Sequence, residues 1–399
     1  MEDYRRQSIL KAVVFLSVII FFLSVPVVYV HGEEPDMDNM IQQQIDAAEL
    51  DDIGRNMDRY GGEALKEIID GYDPKSLLKD AARGSFKLNY KNALKRFLML
   101  FLDEIYVNMA LLIKLVVIAV VCAVLKNMQS NFLSKSVGEV AFFVSYIVLI
   151  SVVVISFSEI SSMARGIIGD MVDFMYSTSP VLVTLMASSG GLASGAVMKP
   201  LLILAVEFLA TLASNVFVPL IIFSVVLAIL NSISERVQLS KLAEMLSKGC
   251  TFLLGFILTV FIFLMTVQGT VGAIADGITG KSLKFIVKTI PVIGGYLSDA
   301  ADTVLGCTLM VKNAAGLAVM IGLIGICLFP LLKIGAVILL FKAATVLVEP
   351  ISDERITECM NDVSKSMGMI FAVVVLVAFM FIITVSTIIG AGNISAMIR

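Results

Sequence analysis

Four ionisable side chains, Lys114, Glu207, Lys333 and Lys342, lie inside long apolar runs. At the centre of a membrane helix each costs about 2.5 to 3.5 kcal/mol on insertion scales, so such groups usually face a partner or water. Glu207 is the most informative of them, because its short side chain reaches little, whereas the lysines can carry their ammonium groups toward an interface on long stems. Glu207 paired with Lys114 across helices would form a polar path through the membrane. The same residues would equally serve as structural pairing or sit at an interface.

Other chemistries lack their parts. The single histidine, His31, supplies neither a zinc site nor a histidine relay. Cys122, Cys250, Cys307, Cys327 and Cys359 show no C-x-x-C spacing and lie mostly in or beside apolar stretches, where they read as small packing residues. No Ser-His-Asp, Cys-His or metal-ligand constellation is present in the sequence, so neither an enzyme nor a cofactor is expected. Ala275 to Ser282 (ADGITGKS) fits a relaxed Walker A pattern with Ala for the first Gly. A phosphate-cradling loop needs a strand before it and a helix after it. Here an apolar span precedes it, and the segment reads as a loop after that span.

The elements that must position these residues are membrane helices. The 399 residues are 58% hydrophobic and 16% charged, with mean hydropathy +0.94, against about 45 to 50% apolar and 25% charged in soluble domains. Too few charges remain to coat a soluble body of this size. The net charge of -3 offers no field for nucleic acid. Runs at 106–125, 137–157, 200–231, 250–275, 314–348 and 367–391 qualify as spans. Two of them, 200–231 and 314–348, would run about 46 Å or more as straight helices, far beyond a core of about 30 Å, and each contains a proline, Pro219 or Pro330. Each is a kinked, tilted helix or two tightly joined segments, giving about six to eight crossings. The expected fold is an all-α polytopic helix bundle.

Pro219 and Pro330 are 111 residues apart, as are Pro180 and Pro291, and Gly195 and Gly306. This offset points to an internal duplication, 178–275 and 289–391, a plan that transporters use to build a path between repeats or that persists as scaffold. Val181 to Met198 and Ile290 to Met310 are small-residue segments suited either to re-entrant backbone or to close helix packing.

Arg5, Arg6 and Lys11 precede an apolar run ending in His31-Gly32, so residues 1–32 read as a signal peptide or an uncleaved anchor. Either places residues 33–104 across the membrane from the cytoplasm. Residues 33–82 hold fourteen acidic and five basic side chains, a segment too polar for its own core that must dock on something. Arg83, Lys87, Lys91 and Lys95 then form a basic ridge, on an amphipathic helix lying at the membrane surface or on a solvated helix entering the hairpin at 105–160.

Pro291-Val292-Ile293-Gly294-Gly295, Ser298-Asp299-Ala300, Asp302-Thr303-Val304 and Lys312-Asn313-Ala314-Ala315-Gly316 form the best-marked stretch. With it, the chain resembles the stage III sporulation protein AE family of endospore-forming bacteria over nearly its full length. The resemblance implies a subunit of the channel or secretion-like complex linking mother cell and forespore, in the outer forespore membrane. It implies as partners the other stage III A proteins, including a motor ATPase and ring-forming subunits, and the stage II protein Q of the forespore. An autonomous secondary transporter and a non-transporting scaffold are the rival readings.

Overall fold

The computed structural model describes residues 50–86, 90–131, 135–191, 195, 204–233, 240–288 and 294–398. The N-terminal apolar run and residues 33–49 lie outside these, as do Lys87 and Pro291. Among the described residues the fold is all-α, with nine α-helices. They are α1 (Leu50–Ile68), α2 (Pro74–Ala82), α3 (Tyr90–Val107), α4 (Met109–Asn131), α5 (Lys135–Ser188), α6 (Val218–Ile233), α7 (Ser240–Lys288), α8 (Gly294–Val348) and α9 (Glu354–Ile398). Among the described residues, six stretches are long and apolar enough to cross a membrane: Met109–Met128, Val140–Ser188, Leu204–Ser232, Lys241–Ser282, Asp302–Val348 and Glu354–Ala391.

The rods are longer than a bilayer requires. Helices α5, α7, α8 and α9 contain 54, 49, 55 and 45 residues, about 68 to 83 Å each, against a hydrocarbon core of about 30 Å. Neighbours fix their register. Glu159 meets Lys333 and Met171 meets Cys327, so α5 and α8 run antiparallel. Lys312 bonds to Ile389 and Gly316 lies beside Val385, so α8 and α9 do the same. Ser224 meets Ser247 in the α6–α7 hairpin, and Lys126 of α4 pairs with Asp353 at the start of α9.

Both prolines in the long segments sit within continuous helical backbone. Pro330 lies inside α8, which continues to Val348. Ahead of Pro219 the helix widens into a π turn, Ala213–Phe217, in which the Val218 N–H donates to the Ala213 carbonyl. Pro219 lacks an amide donor and crowds the carbonyl four residues earlier, and one wide turn relieves both.

Several expectations are corrected. Of Ile290 to Met310, the described part, Gly294 to Met310, is regular helix and forms the first turns of α8 instead of irregular backbone. The ADGITGKS segment is not a loop, because α7 continues through it to Lys288. Arg83 does not open a helix shared with Lys91 and Lys95. It caps α2, and the chain turns at Gly84 with φ +67° before α3 begins at Tyr90. The segments related by the 111-residue offset are also built differently: α5 ends at Ser188, whereas the equivalent position, Asp299, lies inside α8, and a π turn precedes Pro219 whereas α-helix runs unbroken through Pro330.

The described part of the acidic segment, residues 50–82, docks on the chain's own membrane bundle. Helix α1 carries Leu50, Ile53, Met57 and Leu65 on one buried stripe, and Asp51, Arg55, Asp58, Arg59, Glu63, Lys66 and Glu67 face out. Burying four such side chains contributes about 1.5 to 3 kcal/mol each. Glycines let the backbones approach. A Cβ on Gly61 would lie 2.9 Å from the Ile326 nitrogen, and one on Gly325 would lie 2.7 Å from Leu65 Cγ and 3.0 Å from the Gly61 carbonyl oxygen. Gly322 receives Phe174 and Met57 in the same way, and Tyr60 meets Phe174 edge to face with ring centroids 6.2 Å apart. Helix α2 buttresses this crossing. Asp73 caps it by accepting the Ser76 N–H at 2.9 Å, and Pro74 packs against Gly54.

In an open helix Gly→Ala gains about 0.5 to 1 kcal/mol, whereas overpacking against fixed backbone costs about 1 to 3 kcal/mol. Gly61→Ala and Gly325→Ala should therefore lower the thermal unfolding midpoint of the detergent-solubilised protein. Gly166→Ala and Gly169→Ala, where nothing lies within 4 Å of the new Cβ, should leave the midpoint unchanged or raise it.

Candidate functional site

The ionisable residues singled out from the sequence fall into separate places. Glu207 does not pair with Lys114. Its Oε2 instead accepts a hydrogen bond from the Tyr176 hydroxyl at 2.7 Å, between two exposed side chains of neighbouring helices. Lys342 is exposed on α8. Lys114 and Lys333 share a groove of about 280 Å³ with Asn108, Ser156 and Glu159. Lys333 Nζ lies 3.2 Å from Glu159 Oε1, while Lys114 forms no ion pair or hydrogen bond among the described residues. Glu159, placed at the edge of an apolar run by the sequence, supplies the groove's carboxylate, to Lys333 and not to Lys114.

Helix α3 forms a ledge beside this groove. Leu94, Leu98 and Leu102 repeat every four residues and are 61%, 51% and 62% exposed, and Tyr106 continues the row. Lys91 and Lys95 are exposed on the same helix. Arg96 ties α3 back to the docked segment through Asp70 and the Glu67 carbonyl. An exposed row of leucines beside exposed lysines is the pattern of a helix lying in a membrane interface.

The fully buried charge is elsewhere. Lys312 is 0% exposed and donates to the Ile389 carbonyl at 3.0 Å, its one polar contact among the described residues. Four residues on, Gly316 leaves room for Ile389, whose Cδ1 would lie 2.4 Å from a Cβ there. The Lys312-to-Gly316 run thus fastens α8 to α9, with Asn313 Oδ1 buried beside it and unpartnered. Sequence hydropathy ranks Lys312 as merely adjacent to a span, and only the periodicity of small residues around it hints at burial.

The docked segment is the most polar surface held rigidly on the bundle. Its outward face mixes acids and bases, with Lys75 bound to Asp51 at 3.0 Å and Arg55 paired with Asp52. Beneath it the Tyr72 hydroxyl is buried without a partner among the described residues, and that burial, with Asp58 and Asp73 nearby, pushes the phenol above its usual range.

Comparison with known proteins adds to this geometry. The family model described as Stage III sporulation protein AE matches residues 72–392. The chain is also similar to Stage III sporulation protein AE of Bacillus subtilis (strain 168), at 32% identity over 344 residues, covering 86% of this chain and 85% of the relative. No solved structure matches.

Lys312→Met keeps the stem volume and should hold stability within about 1.5 kcal/mol, whereas Lys312→Ala opens a cavity and should cost roughly 2 to 5 kcal/mol. Thermal unfolding of both variants checks this ranking.

Proposed function

Because the chain belongs to the stage III sporulation protein AE family, we propose that it is an integral membrane subunit of the channel or secretion-like complex between mother cell and forespore. It sits in the mother-cell (outer forespore) membrane, with residues 33–104 on the extracytoplasmic side after insertion by the N-terminal signal or anchor. The observation that carries this reading is the docked hydrophilic segment, a charged surface locked by glycine contacts to a long α-helical membrane bundle. A surface held in that way is pre-organised for protein partners, because little ordering entropy remains to be lost on binding. Its partners are the other stage III A proteins, among them a motor ATPase and ring-forming subunits, and stage II protein Q. The helical form of ADGITGKS supports dependence on an external motor, since a phosphate loop needs non-helical backbone. The 111-residue offset supports descent of 178–275 and 289–391 from one duplicated unit whose copies are now built differently.

Deleting residues 33–82 would strip α8 of buried contacts, so the test leaves the crossing intact. Glu63 and Glu67 are exposed on α1, outside its buried stripe. The double variant Glu63→Lys, Glu67→Lys should reach normal membrane abundance and melt normally, yet capture the stage III A proteins several-fold less well from sporulating cells and lower spore yield. Normal capture together with normal spore yield would overturn the proposal.

A further inference from the structure

The groove between α4, α5 and α8 lies at a defined depth. Measured from the charged end of the bundle, Lys333 is about 24 Å along α8 from Glu349, and Glu159 is about 29 Å along α5 from Val140. Both distances approach the hydrocarbon thickness of about 30 Å. Between those levels α4 and α5 expose Ile113, Val117, Val121, Phe143, Ile147 and Val148, an apolar band facing outward. Above the groove, α5 presents Ser162, Arg165 and Asp170. The α3 ledge, with its exposed leucines, meets the groove through Asn108 and lies along α8 where Phe101 approaches Gly335. Taking those ends as one lipid boundary sets the upper rim of the groove at the opposite headgroup layer, on the side of the docked segment, with Lys114 about 18 Å along α4 from Lys126 at its lower end.

Its charge is uneven. Two ammonium groups face one carboxylate, and Lys114 is the cation without a partner among the described residues. Apolar Leu111, Val152 and Ile155 line the same groove, so it offers cations for a phosphate and an apolar wall for an acyl chain. We propose that this groove binds the headgroup of an anionic glycerophospholipid, with Lys114 and Lys333 toward the phosphate and the acyl chains along α4 and α5. Glu159 sets the selectivity. It neutralises Lys333 in part and disfavours a second negative charge, so a singly charged headgroup such as phosphatidylglycerol fits best.

The chain contains no Trp, so Ile155→Trp, at a groove residue 67% exposed, gives one reporter. The full chain carrying it is reconstituted in phosphatidylcholine vesicles containing a minor share of either phosphatidylglycerol or phosphatidylcholine with brominated acyl chains. Brominated phosphatidylglycerol should quench preferentially, with a relative association of roughly fivefold. Lys114→Gln with Lys333→Gln should abolish that preference, and Glu159→Gln should increase it, an opposite shift that a folding defect would not produce. Equal quenching by the two lipids, or a preference unchanged in both sets of variants, would overturn the proposal. Loss of the preference on adding inorganic phosphate, beyond the effect of chloride at equal ionic strength, would assign the groove to free phosphate and overturn it as well.

Discussion

The rest of the structure depends on how closely α1 can approach α8. Gly61 and Gly325 place two backbones in contact, where even one methyl group would collide with main-chain atoms. That approach brings Met57 and Leu65 into the bundle and Tyr60 onto Phe174 of α5. Three helices distant in sequence thereby become one packed unit. There apolar burial and close van der Waals packing at the glycines act together. The same contact fixes a highly charged segment against a membrane bundle without burying any of its charges.

Much of this was legible in the sequence and some was not. Composition fixed the all-α membrane class, and run lengths located six stretches close to those the structure forms. The acidic segment was recognisable as unable to fold alone, but its dock was not, because Gly322 and Gly325 read as generic small residues until α1 lies over them. The spans were easier to find than their ends. Helices α5 and α7 continue past their apolar cores as uninterrupted backbone, so the ADGITGKS pattern, a loop by its glycines, is helical by continuity. Hydropathy locates where a helix enters lipid and says little about where it stops.

Among the candidate site residues, charge type was easier to read than partnership. Glu207 and Lys114 were legible as costly in lipid, yet Tyr176 and the Glu159–Lys333 pair decide what each of them faces. Partner choice depends on helix rotation and register, and those follow from close contacts such as Gly316 against Ile389 and Gly269 against Thr387. The buried Lys312 shows the limit from the other side. A lysine flanking an apolar run looks ordinary until a neighbouring helix covers it and offers a carbonyl.

The glycine crossing also has a consequence in time. Gly61 leaves the ribosome about 260 residues before Gly322 and Gly325, roughly 13 to 50 s at ordinary synthesis rates. Throughout that interval the apolar stripe of α1 has no surface to cover it. Most of a helix's stability comes from packing its apolar face, and the Gly61-Gly62 pair weakens α1 further on its own. Helix α1 therefore becomes stably helical only after α8 has been made and inserted, and its ordering marks the arrival of a nearly complete chain. A truncated or misinserted product would present an unfolded acidic segment instead of a shaped one, so a partner that reads the folded face would engage finished subunits and pass over incomplete ones.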